Sequence, residues 1–316
     1  MAVRKIRLIG DIGGTNARLA IAVGGEYQRE TTYPTEHFAG LDSVMAVFLK
    51  TLPLDLRPTE AAIAVAAPVQ GDVIRMTNAG WQFSRAALER QFGLSRLLVF
   101  NDFAPIALAL TEFDGSQIER VGGGTPVEGA PKGVLGPGTG LGVAGLVRGV
   151  DRRWVAVTGE GGHATMPATD TAEAAILAEI ARRVGHVSAE RVLSGGGLVH
   201  LFEALCALEG HPAPKLTPAE ISDEVSDDPL CHAAVRHFCA MLGTVAGNLA
   251  LTLGAEGGIY IAGGIVPKLG PRFARSEFRR RFEAKGRLQP YLAAIPVYVI
   301  THPDPALFGL ARLPDA

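Results

Sequence analysis

The stretch Leu8-Ile9-Gly10-Asp11-Ile12-Gly13-Gly14-Thr15-Asn16-Ala17-Arg18-Leu19-Ala20 decides how this chain is read. Its apolar flanks, residues 6–9 and 17–22, have the make-up of strands, and Gly10, Gly13, Gly14 and Thr15 lie between them. Glycines joining two strands build a hairpin-like turn, where the backbone can pass close to a ligand. The N–H groups of such a turn can converge on an anion. Asp11 ends an apolar strand; its carboxylate can organise Mg²⁺ through water, or it can serve as an Asx side chain that steadies the turn.

A second turn, Gly136-Pro137-Gly138-Thr139-Gly140-Leu141-Gly142, has the same make-up and also leads into a strand-like run, residues 141–147. It does not fit GxGxxG, and it opens a strand where a dinucleotide motif would open a helix. No Gly-Lys dipeptide occurs in the chain, which excludes a Walker A loop. One such turn is ordinary. Two, with matched glycine and threonine content, could grip a polyphosphate from opposite sides of a cleft.

Working outward, residues 27–33 read as a third strand, and Leu41, Val44, Met45, Phe48 and Leu49 share one helix face. Residues 62–66 and 97–100 read as buried strands, and Ser84 can cap a helix reaching about Phe92. The loop with glycines 122–124, Pro126 and Pro131 marks a candidate boundary. A second strand series follows at residues 134–135, 141–147 and 154–157. Asp170 with Glu173 has the pattern of a capping box, Thr217-Pro218 starts another helix, and a long helix covers residues 229–253. Late strands fall at 259–262 and 297–301. The order of elements suggests two α/β halves of related design.

The chain has 316 residues, more than one hydrophobic core usually serves, so two domains are expected. Hydrophobic residues make up 47% and charged residues 20%, the composition of a globular protein. A net charge of −2 argues against a nucleic-acid partner held through its phosphates. The apolar runs at 61–69 and 259–266 are too short to span a bilayer, so no membrane partner is expected. Three cysteines without a CxxC pair suit a reducing cytosol, and the expected location is cytoplasmic. Cys231, His232, His237 and Cys239 fall on one helix, but spacings of eight and five keep them off a common face. Packing, not zinc, is their expected role, and no protein-held metal site is expected.

The remaining polar candidates follow strands. Asn101-Asp102 follows residues 97–100, where α/β proteins place ligands. Asp102 could take a proton from an acceptor hydroxyl or could simply cap the next helix; the residues alone leave both open. Glu160-Gly161-Gly162-His163 could face a polyol or form a solvated loop. Glu190 reads as a first-turn helix residue capped by Ser188. Gly263-Gly264 ends a strand and could let an adenine approach the backbone or form a plain turn.

These pieces together resemble one family. LIGDIGGTNARLA (from Leu8), VFNDFAPIALAL (from Val99) and LGPGTGLGVAGL (from Leu135) are similar to the first phosphate motif, first connecting segment and second phosphate motif of the bacterial glucokinases. GEGGH, GHVSAERVLSGGGL and IYIAGGIVPK are similar to further segments of that family, which lies within the hexokinase–actin-like ATPase superfamily. The sequence departs from the family at Pro137, where a smaller residue is frequent, and at Gly196, where proline is common.

The resemblance implies an α/β, two-domain actin-like ATPase (ribonuclease H-like) fold with a ligand cleft between domains. The expected small domain is 1–110 plus 301–316 and the large one 111–300. It implies an enzyme that transfers a phosphoryl group from Mg·ATP to the 6-hydroxyl of glucose, working as a homodimer. Asp102 would be the catalytic base, with Asn101, Glu160, His163 and Glu190 on the sugar. Gly10, Asp11, Ile12, Gly13, Gly14, Thr15, Gly138, Thr139, Gly140, Gly263 and Gly264 would hold ATP. The related kinases with a cysteine-rich zinc motif look like a separate branch. Rival readings are a kinase for another hexose, a sugar-binding regulator and a filament-forming actin relative. The regulator would need a helix-turn-helix before the first turn, where ten residues precede Asp11. The filament former would have no use for the Asn101, Asp102, Glu160, His163 and Glu190 set.

Overall fold

The computed structural model describes residues 5–76 and 79–314. The chain divides into two compact units, Met1–Glu112 with His302–Ala316, and Phe113–Thr301.

The first unit opens with strands β1 (Ile6–Ile12), β2 (Asn16–Val23) and β3 (Glu26–Pro34), then helix α1 (Leu41–Lys50) and strand β4 (Glu60–Val65). A hairpin of β5 (Val73–Met76) and β6 (Trp81–Ser84) leads to α2 (Arg85–Phe92), β7 (Arg96–Asn101) and α3 (Phe103–Ala109). The chain returns here with its last helix, Pro305–Ala311. The main sheet runs β3-β2-β1-β4-β7, with β1 to β3 antiparallel and β1, β4 and β7 parallel. Strand β4 is buried at all six positions, as expected for a parallel strand covered on both faces. Helix α1 buries Leu41, Val44, Met45, Phe48 and Leu49, the face its periodicity predicted. Ser84 caps α2 by accepting from Ala87 N at 3.1 Å, and Gly93 ends it in the left-handed region. Arg7 and Glu60 are register neighbours on β1 and β4 and form a buried ion pair at 2.6 Å. Arg7 Nη1 also donates to the Leu313 carbonyl, which ties down the end of the chain.

The second unit holds β8 (Ile118–Gly122), β9 (Lys132–Pro137), β10 (Leu141–Arg148) and β11 (Trp154–Gly159), then α4 (Thr171–Val184), α5 (Gly195–Leu208), α6 (Pro218–Ile221) and α7 (Pro229–Leu253). It closes with β12 (Ile259–Ile261), the short helices α8 (Ile265–Leu269), α9 (Pro271–Ala274), α10 (Phe278–Glu283) and α11 (Gln289–Ala294), and β13 (Val297–Ile300). Its sheet order is β11-β10-β9-β12-β13-β8. Without β8, this is the order of the first unit: third, second, first, fourth and fifth strand. Here too the first three strands are antiparallel and the rest parallel. The two glycine turns therefore occupy the same topological place, between the first and second strand of each sheet.

Two expectations need correction, and one strand had no signal in the sequence. The loop with glycines 122–124 is not a boundary but lies inside the second unit. Gly124 N donates to Ala294 O at 3.1 Å, and a Cβ on Gly123 would run into the Ile295 carbonyl. Strand β8, with exposed Glu119 and Arg120, lacks the apolar pattern that reveals a buried strand. The Asp170–Glu173 pair is not a reciprocal capping box. Asp170 caps α4 by accepting from Glu173 N at 2.8 Å, but the Glu173 carboxylate accepts from Thr169 N at 2.9 Å and ion-pairs with Arg281 at 2.7 Å. Burial alone would raise the Glu173 pKa; Arg281 and the Thr169 donors outweigh it and hold the carboxyl below its ordinary value. Arg281 Nη2 donates to Thr244 Oγ1 as well, so this buried group joins α4, α7 and α10.

Cys231 and Cys239 are buried along α7, and His232 Nε2 meets the Ser226 carbonyl at 2.7 Å. Among the described residues no group of three or more His, Cys, Asp or Glu could hold a metal ion, and no helix is long and apolar enough to cross a membrane.

Candidate active site

In the first unit the site residues sit at the C-terminal ends of β1 and β7, the side on which open α/β sheets bind ligands. The β1–β2 turn closes through Gly13 N to Asn16 O at 2.9 Å. Thr35 pins the turn, its Oγ1 donating to Gly14 O at 2.6 Å and its N to Thr15 O at 2.9 Å. Gly13 and Gly14 are half-buried and Thr15 is exposed, so their polar groups can meet a ligand. The side-chain positions of Gly10 and Ile12 face the core. A Cβ on Gly10 would lie 2.7 Å from Leu19 Cδ2 and 2.8 Å from Ile63 Cδ1, and the Ile12 side chain is fully buried.

Asp11 faces Arg18 across the β1–β2 ladder, with Arg18 Nη1 at 3.4 Å. Arg18 Nε also lies 3.5 Å from Asp304, just before the last helix. Burial pushes the Asp11 carboxyl above its ordinary range; Arg18 pulls it down, and Asp304 pushes it up. Arg18 lies within the quoted motif, and its opposite charge seven residues from Asp11 was its only signal in the sequence. Asp304 gave none, because its approach depends on the return of the chain.

Asn101, not the Asp102 side chain, holds the start of the helix that follows. Asn101 Oδ1 accepts from Phe103 N at 3.0 Å and so holds the start of α3. Asp102, with helical φ and ψ of −59° and −27°, makes no side-chain capping bond. Its backbone N donates to Val65 O at 3.0 Å, fixing it to the end of β4.

In the second unit, the β9–β10 turn closes through Gly138 N to Gly140 O at 2.8 Å. Gly138 has nothing within 4 Å of where a Cβ would stand, and Thr139 is exposed. Gly263 has φ +81°, and a Cβ there would strike the Pro137 carbonyl, so it packs against the turn. Gly264 is exposed and faces open space.

Glu160, His163 and Glu190 come together. His163 Nε2 lies 3.9 Å from Glu160 Oε2 and 4.0 Å from Glu190 Oε1. A 3₁₀ turn over Gly161–His163 carries His163 and directly follows Glu160, and a Cβ on Gly162 would run into the Leu141 carbonyl. Only glycine therefore lets this loop lie against the β9–β10 turn. The expectation for Glu190 is corrected: α5 starts at Gly195, and Glu190 lies in the irregular segment before it. Its backbone N donates to Gly162 O at 2.8 Å, and its Oε2 accepts from Leu141 N at 2.8 Å. Gly162 and Ser194 both shape this cluster and were missed, since a small residue in a loop carries no pattern.

Two sheets of one order, each with a glycine turn between its first two strands, define the actin-like ATPase fold of sugar kinases. The solved glucokinase from an Antarctic psychrotroph is similar to this chain with a TM-score of 0.89 and 36% identity, covering 97% of this chain and 98% of that one. The glucokinases of Nitrobacter hamburgensis and Aromatoleum aromaticum are 48% and 49% identical; each alignment spans 98% of this chain and covers 97% and 94% of the respective relative. The family model for glucokinase matches residues 8–315. The chain belongs to the glucokinase family.

Proposed function

We propose that this chain transfers the γ-phosphoryl group of ATP to the 6-hydroxyl of glucose, giving glucose 6-phosphate and ADP. The observation that carries this is identity near one half, over almost the whole chain, to proteins named glucokinase. The grouping of Glu160, His163 and Glu190 supports a polyol subsite, because carboxylates and an imidazole accept and donate to several hydroxyls at once.

Asp102 is the proposed base that accepts the proton of the attacking hydroxyl. Asn101 uses its Oδ1 on Phe103 N, which leaves the amide NH₂ to donate to a sugar oxygen. The β1–β2 turn, through Gly13, Gly14 and Thr15, and the β9–β10 turn, through Gly138, Thr139 and Gly140, would receive the phosphates. Gly263 and Gly264 would lie by the adenine. Asp11 suits Mg²⁺ held through water: its carboxyl is partly exposed and only partly compensated by Arg18 at 3.4 Å. Mg²⁺, when bound with ATP, neutralises charge on the phosphates. A cytoplasmic homodimer completes the proposal, with the family resemblance as its support.

A coupled assay with Mg²⁺, ATP and a panel of hexoses tests the reading. Glucose should give the highest kcat/KM. A higher value for mannose, fructose or an acetamido sugar would make the chain a kinase of that sugar. Absence of any sugar-dependent ATP turnover would leave a binding protein.

A further inference from the structure

Residues 190–195 touch the β9–β10 turn at both ends. At one end Glu190 Oε2 accepts from Leu141 N at 2.8 Å. At the other, Gly195 N donates to Gly138 O at 2.9 Å. Between them Ser194, 5% exposed, joins the two ends: its Oγ donates to Glu190 O at 2.8 Å and accepts from Gly197 N at 3.0 Å. The fit is tight. A Cβ on Gly140 would come within 2.5 Å of Glu190 Oε2, and one on Gly197 would strike the Val192 backbone. The same segment holds the sugar-side loop, through Glu190 N to Gly162 O at 2.8 Å.

The two oxygens of Glu190 thus have different surroundings. Oε2 is engaged by the turn, while Oε1 faces His163 Nε2 at 4.0 Å. A hydroxyl bound at Oε1 would fix the carboxylate and so reduce the freedom that Oε2 and the turn must lose when a phosphate binds. Ordering by one ligand that spares the other its ordering cost is positive coupling, and it is reciprocal.

We propose that residues 190–195 brace the β9–β10 turn against the sugar-side loop, with Ser194 the positioning residue, so that sugar and nucleotide tighten each other's binding through Glu190. This rests on the assignment of Glu190 to the sugar and of the β9–β10 turn to the nucleotide phosphates.

Two variants cut the brace at different points. Gly195→Pro puts the ring Cδ in place of the N–H that reaches Gly138 O, so it removes that hydrogen bond and pushes the turn off the segment, while proline is welcome at the first position of a helix and the extended Ser194 at φ −149° and ψ 177° suits a following proline. Ser194→Ala removes the central hydroxyl, and Ser194→Thr keeps it. Calorimetry would measure glucose alone, and Mg·AMP-PNP with and without glucose, on the full chain. In Gly195→Pro the AMP-PNP Kd should rise by at least roughly three- to ten-fold, the range for one lost hydrogen bond, because the displaced turn adds to that loss, with glucose binding alone unchanged. In Ser194→Ala the factor by which glucose tightens AMP-PNP should shrink toward one, and Ser194→Thr should restore it. Wild-type AMP-PNP affinity in Gly195→Pro, or an undiminished coupling factor in Ser194→Ala, overturns the brace. If Ser194→Ala does not fold, Gly195→Pro alone decides. Wild-type chain that binds no glucose would instead overturn the sugar assignment beneath the proposal, a result that does not depend on any variant.

Discussion

Replacing Asp102 by Asn separates chemistry from architecture. The exchange keeps the size of the side chain and removes its basicity. Because Asp102 makes no side-chain capping bond and Asn101 Oδ1 already serves Phe103 N, helix α3 loses no cap. The cap of α3 therefore contributes nothing to any change in stability that urea unfolding reads. A positioned general base contributes about 10²–10⁴-fold, so kcat should fall by about 3–5 kcal/mol of barrier. Glucose affinity should change little, since Glu160, His163 and Glu190 remain. Asn101→Ala is the mirror experiment. It should cost about 1 kcal/mol of stability through the lost cap and weaken glucose binding, with a milder effect on kcat. Steady-state kinetics at saturating ATP, glucose titration and urea unfolding on both variants would read the four quantities. Wild-type kcat in Asp102→Asn would refute the base assignment and move suspicion to Asp11.

Three further outcomes follow from named contacts. Asp11→Asn removes a carboxyl that burial holds above its ordinary pKa. Such a group keeps its proton longer in the folded chain, so folding stability falls as pH rises through the ordinary carboxylate range to the raised value. The variant should therefore melt no lower than wild type at neutral pH while kcat/KM for Mg·ATP drops about ten-fold or more; unchanged ATP kinetics would end the role given to Asp11. Arg281→Leu strands the fully buried Glu173 and should cost about 3–5 kcal/mol in urea unfolding. Adding Glu173→Leu should recover part of that loss, and strict additivity of the two changes would contradict the pairing. His237 and His302 are both held below their ordinary pKa, chiefly by burial. The unfolded chain takes up these protons first, so stability should decline as pH falls below about 6.5 toward the lower folded values. His237→Gln should flatten that slope in unfolding midpoints at pH 7.5 and 5.5, and an unaltered slope would assign it elsewhere.

The sequence by itself determined the elements that bury an apolar face. Helix α1 is readable because Leu41, Val44, Met45, Phe48 and Leu49 repeat at helical spacing, and Pro229–Leu253 is readable because a proline opens it and Gly254 closes it. Both glycine turns were legible too, since strand-like runs flank each. The family resemblance was carried by contiguous words, so it needed no fold. What only the tertiary structure decided are the roles of polar groups whose partners lie far along the chain. Glu173 looked like a capping residue until Arg281, 108 positions away, claimed it. Glu190 looked like a helix start until its carboxylate reached Leu141 N, 49 positions back. Asp102 could have capped its own helix, but the neighbouring Asn101 Oδ1 accepts from Phe103 N and takes that task. Apolar burial leaves a periodic trace because every residue on a face obeys the same rule. A hydrogen bond or ion pair joins two particular atoms, so its trace is a single residue at each end, and only the folded backbone brings those ends together.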